Sequence, residues 1–167
     1  YYPMWHGTLV DLNQNIDVLF NQFQKPVIVL ETAYPFTLLW NDTVNNILGL
    51  ENQLIDDYEA SEEGQYSFLS DLIALVDDNE FGYGVCYWSP EWISTDQFGS
   101  PWENQALFDF DGQLLSAISA FENSNVSTHR ANKYIPRLTF NYPNPFNSNT
   151  QINYDLQKSG FVSINIY

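Results

Sequence analysis

Glu31 is the residue with the strongest claim to chemistry. It is the first charge after the unbroken apolar run Val27-Ile28-Val29-Leu30, which opens on Lys25-Pro26. Pro26 cannot donate a ladder hydrogen bond, so it marks the start of a strand. Four consecutive apolar residues suit a parallel strand covered on both faces. A carboxylate one step past such a run sits at the strand's C-terminal end, where barrel enzymes put their catalytic groups. Tyr34, Pro35 and Phe36 follow and open a loop. A solvated Glu at a strand exit is the competing reading of this stretch alone.

The other side chains that could meet a ligand are aromatic. Phe, Tyr and Trp make up 17% of the 167 residues, with 5 Trp, 11 Tyr and 12 Phe. That exceeds what a core requires, so some of them face a ligand; a Tyr-rich β protein is the alternative. They gather at Tyr1-Tyr2-Pro3-Met4-Trp5-His6, at Trp88 and Trp92, and at Trp102 beside Glu103. A second group, Asn41, Asp42, Asn45 and Asn46, offers side-chain oxygens within a short span of loop.

Composition narrows the ligand. Lys and Arg number 5 against 21 Asp and Glu, a net charge of -16. Nucleic acid and anionic membrane surfaces both need positive charge, so neither is a partner. A neutral ligand and an extracellular setting fit. The single cysteine, Cys86, excludes an internal disulfide and reads as inert core. No apolar stretch reaches membrane-spanning length.

The elements that must position these residues can be placed by period. Thr8 is a helix N-cap with Asp11 three residues on, as in a capping box. Leu9, Leu12, Ile16, Leu19, Phe20 and Phe23 then recur at helical spacing. A strand over 26–31 follows, and then a long loop over 32–60. Loops of that length in compact domains usually serve a function. Ser61 with Glu62 and Glu63 opens a second helix, whose stripe is Phe68, Leu69, Leu72, Ile73, Leu75 and Val76. A strand over 82–88, a loop over 93–104, a turn at Asp111-Gly112 and a closing helix complete this part. Helix, strand, helix, strand, helix predicts a parallel α/β sheet. Two strands cannot form such a sheet alone, so the natural completion is a larger barrel.

From residue 123 the character changes. A polar linker over 123–137 leads to alternation of period two. Ile152, Tyr154 and Leu156, a turn at Lys158-Ser159-Gly160, then Val162, Ile164 and Ile166 read as an antiparallel hairpin. The predicted division is therefore 1–122, a linker over 123–137, and a small β-sandwich-type hairpin module over 138–167.

Four blocks, YYPMWHG, KPVIVLETAYPFTL, GVCYWSPEW and SPWENQALFDFDG, occur in order over 1–121. Together they resemble the last third of the arabinogalactan endo-β-1,4-galactanases of glycosyl hydrolase family 53. The tail, with NYPNPFN ahead of a β-rich segment, resembles the C-terminal sorting domain of the type IX secretion system. The first resemblance implies the C-terminal part of a (β/α)8 TIM barrel, from the exit of the sixth strand onward. It implies that Glu31, ending the seventh strand, is the nucleophile of a retaining glycosidase acting on a β-1,4-galactan. The acid/base Glu belongs on the fourth strand and matches no residue here. The piece alone is therefore expected to be inactive.

The resemblance also implies the remaining roles. Trp88, ending the eighth strand, floors the subsite where the bond breaks, and Trp88-Ser89 is a strained junction. Tyr2, at the sixth-strand exit, donates to Glu31, with its neighbour Tyr1 as the alternative donor, since adjacent strand residues point oppositely. Trp5, His6, Trp92, Trp102 and Glu103 are candidates for lining the sugar cleft. A structural calcium ion held by Asp42 and Asn46 ties down the long loop. The tail implies a secreted or cell-surface protein handled by type IX secretion machinery. Another retaining β-glycanase of the same clan, acting on mannan or xylan, and a non-catalytic sugar-binding barrel are the rival readings.

Overall fold

The computed structural model describes residues 1–123, 137–142 and 149–155. The chain divides into two units, Tyr1–Asn125 and Val126–Tyr167.

The first unit runs α1 (Pro3–His6), α2 (Leu9–Phe23), β1 (Val27–Val29), α3 (Glu62–Asp78), β2 (Gly82–Val85) and α4 (Ser119–Asn123), with 3₁₀ turns at Glu51–Gln53, Glu103–Gln105 and Ser116–Ile118. The capping box is present: the Thr8 side chain accepts from the Asp11 N–H, and Asp11 accepts from the Thr8 N–H at 2.8 Å. The Thr8 hydroxyl, donating to Asp11 Oδ2 at 2.7 Å, and then the Thr8 N–H hold the Asp11 carboxyl below the usual carboxylate range. Ser61 caps α3 by accepting from the Gly64 N–H.

β1 and β2 pair in parallel, with Val27 opposite Gly82, Ile28 opposite Gly84 and Val29 opposite Val85. α3 makes the crossover between them and buries Phe68, Leu69, Leu72, Ile73 and Val76. Val29, Tyr34, Leu12 and Ile16 join Phe68, Leu72 and Val76 in the main core. Each fully buried aliphatic side chain here contributes about 1.5–3 kcal/mol. Gly82 allows the close approach of β2 to α3: a Cβ there would lie 2.2 Å from the Val76 carbonyl oxygen.

Two expectations are corrected. The apolar stripe of α2 is narrower than its spacing suggests, since Leu19 and Phe23 are 41% and 59% exposed. Phe20 is held instead by stacking on Phe81, with ring centroids 3.7 Å apart. Cys86 is exposed rather than core. The reason is strand alternation: Val29 and Val85 pack under the helices, while Ile28 and Leu30 are 45% and 69% exposed on the opposite face.

In the second unit, β3 (Arg137–Tyr142) pairs antiparallel with β4 (Gln151–Asp155). The sequence reading paired 151–156 with 162–166 across Lys158-Ser159-Gly160. The residues from 156 onward lie outside those described, as do 124–136 and 143–148.

Candidate active site

The site sits where the β1–β2 ladder runs on past both strands. The Cys86 N–H donates to the Val29 carbonyl at 2.8 Å, and the Trp88 N–H donates to the Thr32 carbonyl at 2.9 Å. Pairing at this depth sets Glu31 and Trp88 on adjacent strand ends. Glu31 is exposed, and Trp88 is 43% exposed. Ser89 follows in the left-handed region with φ 48°. That conformation is uncommon outside glycine and turns the chain sharply after Trp88.

Tyr2 approaches Glu31 from α1. Pro3 at the first helical turn fits, because the missing N–H is one that a helix leaves unpaired anyway. The phenol O–H of Tyr2 donates to Glu31 Oε2 at 3.3 Å. Tyr2 is only 7% exposed, and burial first, then the charge and hydrogen bond of Glu31, push its pKa up to about 12. It therefore remains a donor throughout the neutral range. Among the described residues Glu31 Oε1 accepts no such bond.

Behind Tyr2 stands Trp102. The two rings meet edge to face, with centroids 5.8 Å apart, and Ala33 completes this buried cluster. Trp102 Nε1 donates to the Trp88 carbonyl at 3.3 Å. Glu31, Tyr2, Trp102 and Trp88 thus form one connected path. The expectation that Trp102 and Glu103 line the cleft is corrected: they are 4% and 0% exposed, and both support it from behind.

Trp5 is 57% exposed and meets Tyr2 edge to face at 5.4 Å. His6 is exposed, but its Nδ1 accepts from the Tyr2 N–H at 2.9 Å. That bond puts any ring proton of neutral His6 on Nε2 and makes its first task closing α1. Trp92 is 43% exposed on the loop after β2, and its carbonyl accepts from Ser100 Oγ at 2.7 Å.

The sequence did not single out the network under the site. Tyr87 O–H donates to the Gln105 carbonyl at 2.7 Å. The fully buried Gln65 donates to the Tyr34 and Ala106 carbonyls, both at 2.9 Å. Burial pushes the Tyr87 phenol well above its ordinary pKa. The available signal was the alternation of Tyr87 with Trp88: one points to the support, the other to the surface.

Asp42 and Asn46, the expected calcium ligands, lie on the loop after β1. Asp42 Oδ1 accepts from the Val44 N–H at 2.5 Å and Oδ2 from the Ser100 N–H at 2.7 Å. Asn46 keeps one buried, unpartnered oxygen, Oδ1. Calcium takes about 6–8 oxygen ligands, and no group of three or more His, Cys, Asp or Glu among the described residues could hold a metal ion. Asp42 ties the two loops together itself.

Comparison with known proteins accords with this geometry. Residues 1–121 match the model of glycosyl hydrolase family 53. The chain is 42% identical over 115 residues to an arabinogalactan endo-beta-1,4-galactanase of Cellvibrio japonicus, covering 65% of this chain and 30% of that protein. It is 30% identical over 158 residues to an endo-beta-1,4-galactanase of Bacillus subtilis, covering 73% and 37%. The GH53 catalytic domain of Ignisphaera aggregans superposes with a TM-score of 0.67 at 38% identity, over 72% of this chain and 36% of that one. The chain thus spans about a third of the length of the relatives it matches. Its first unit is part of a (β/α)8 glycosidase barrel, and the chain belongs to glycosyl hydrolase family 53.

Proposed function

We propose that this chain carries the nucleophile side of a retaining endo-β-1,4-galactanase. Glu31 is the nucleophile, and Trp88 is the platform under the sugar at the bond that breaks. The observation that carries the reading is the Tyr2–Glu31 hydrogen bond at 3.3 Å, at the mouth of a parallel strand pair in the family-matched segment. A strand-end carboxylate fixed through Oε2 leaves Oε1 to attack the anomeric carbon. The glycosyl–oxygen bond to the leaving sugar breaks as the Glu31 ester forms. Water then cleaves that ester, with overall retention.

The reaction needs a second carboxyl about 5–5.5 Å from the first. No residue of this chain is assigned to it, so the 167-residue piece alone does not turn over galactan. The substrate is a neutral polysaccharide, β-1,4-galactan, in keeping with a net charge of -16 and exposed aromatics. Trp5 and Trp92 extend the cleft on either side, with His6 holding the Trp5 turn. Among the described residues no helix is long and apolar enough to cross a membrane. The NYPNPFN motif supports export through type IX secretion machinery to the medium or the cell surface.

The test is to assay the full-length protein on galactan, mannan and xylan, and to follow product stereochemistry by proton NMR. Cleavage of galactan alone, with retention, supports the reading. Preference for mannan or xylan transfers the site to another glycanase of the same clan. Binding without cleavage makes it a sugar-binding barrel.

A further inference from the structure

We propose that Trp40 is an additional sugar-binding platform, on the loop after β1, that takes a hexose unit of a neutral β-linked chain away from the bond that is cleaved. The identity of its ligand rests on the galactanase reading above.

The first support is exposure. Trp40 is 48% exposed, and its indole nitrogen lies beside Gly49. A half-exposed indole offers a flat apolar face with an N–H as polar handle.

The second support is that the backbone carrying it is well tied. The Asn41 N–H donates to Glu103 Oε1 at 2.7 Å, and Asn41 Nδ2 donates to Ser94 Oγ at 3.0 Å. Asp42 Oδ2 accepts from the Ser100 N–H at 2.7 Å. The Ile47 N–H donates to the Pro101 carbonyl at 2.9 Å. Glu103, which receives this loop, is fully buried. A rigid aromatic ring loses little entropy on binding, so its packing energy goes into affinity.

The third support is continuity with the cleft. Ser94 lies two residues beyond Trp92. Ser100 Oγ donates to the Trp92 carbonyl and accepts from the Trp102 N–H at 3.1 Å, and Trp102 donates to the Trp88 carbonyl. The loop bearing Trp40 is therefore stitched to the loop bearing Trp92 and, through it, to Trp88. An indole face accepts the C–H face of a pyranose and leaves the hydroxyls free. The net charge of -16 disfavours a polyanionic chain.

The experiment compares wild type, Trp40→Ala and Trp40→Phe in the full-length protein, on galactotriose and on long galactan. The proposal expects Trp40→Ala to raise KM for the long chain about tenfold, the worth of one aromatic contact. Galactotriose kinetics stay unchanged, and Trp40→Phe recovers most of the loss. Equal effects on both substrates, or none, overturn it. A lower melting temperature without a chain-length effect also overturns it, because the ring then packs within the protein. If wild type cleaves mannan rather than galactan, the same comparison on mannotriose and mannan judges Trp40 while the galactanase reading falls. If wild type cleaves galactan and Trp40→Ala shows no chain-length effect, only the Trp40 proposal falls. A wild type inactive on both polysaccharides sinks both.

Discussion

Replacing Tyr2 by Phe removes one oxygen and leaves the ring. The ring is held edge to face by Trp5 and Trp102, so the fold survives the change. The lost bond joins a phenol to Glu31 Oε2 at 3.3 Å. Strong O–H···O⁻ bonds are shorter, about 2.5–2.7 Å. This one therefore belongs at the low end of the range for bonds to charged groups, about 1.5 kcal/mol, or roughly tenfold in a rate. The direction follows from where charge appears. As the proposed nucleophile, Glu31 would lose negative charge on attack and regain it as the glycosyl ester breaks. A donor on Oε2 therefore favours the second step over the first. Tyr2→Phe should slow deglycosylation about tenfold, so that the ester accumulates. With the full-length protein and an activated aryl galactoside, stopped flow should show a burst of aryl alcohol, and kcat and KM should fall together. Unchanged kcat with intact melting, or slowing confined to the attack step, would refute the reasoning.

Three further outcomes can be checked independently. Gln65→Leu removes the amide donor of both the Tyr34 and Ala106 carbonyls, while the Tyr87 O–H stays on the Gln105 carbonyl. It should cost about 2 kcal/mol, read as a lower urea midpoint at unchanged slope. Asp42→Ala frees the Val44 and Ser100 N–H groups and should lower the melting temperature in a thermal melt. The Tyr2 phenol, raised to about 12 in the fold, lies above the unfolded tyrosine value of about 10. Its bond therefore contributes fully below pH about 10 and is lost as pH rises through about 12, a step that phenolate absorbance should show one phenol smaller in Tyr2→Phe, Tyr1 also being pushed up to about 12.

Local signals carried much of the fold. Thr8 with Asp11, Ser61 before two acids, and the run from Val27 to Leu30 each declare their element through hydrogen bonding or period, and the parallel pairing follows from the alternation. Glu31 was legible for the same reason, as a charge that ends an apolar run. What escaped depends on distant partners. Glu103-Asn104-Gln105 reads as a polar loop but is fully buried, because Asn41 and the Thr37 and Leu48 carbonyls come from a loop some sixty residues away. The exposure of Cys86 is likewise set by which strand face meets the helices, and the burial of Trp102 by its packing on Tyr2 and Ala33. Four-residue α1 has no period to detect; only Pro3 hints at it.

The most direct test is covalent trapping. Full-length protein is incubated with a 2-deoxy-2-fluorogalactoside bearing a good leaving group, which slows release of the glycosyl ester. The product is digested and mapped by mass spectrometry. The account predicts one added fluorogalactosyl group, carried by the peptide containing Glu31 and absent in Glu31→Gln. An adduct on any other carboxylate, or a Glu31→Gln variant that cleaves galactan at the wild-type rate, would contradict it.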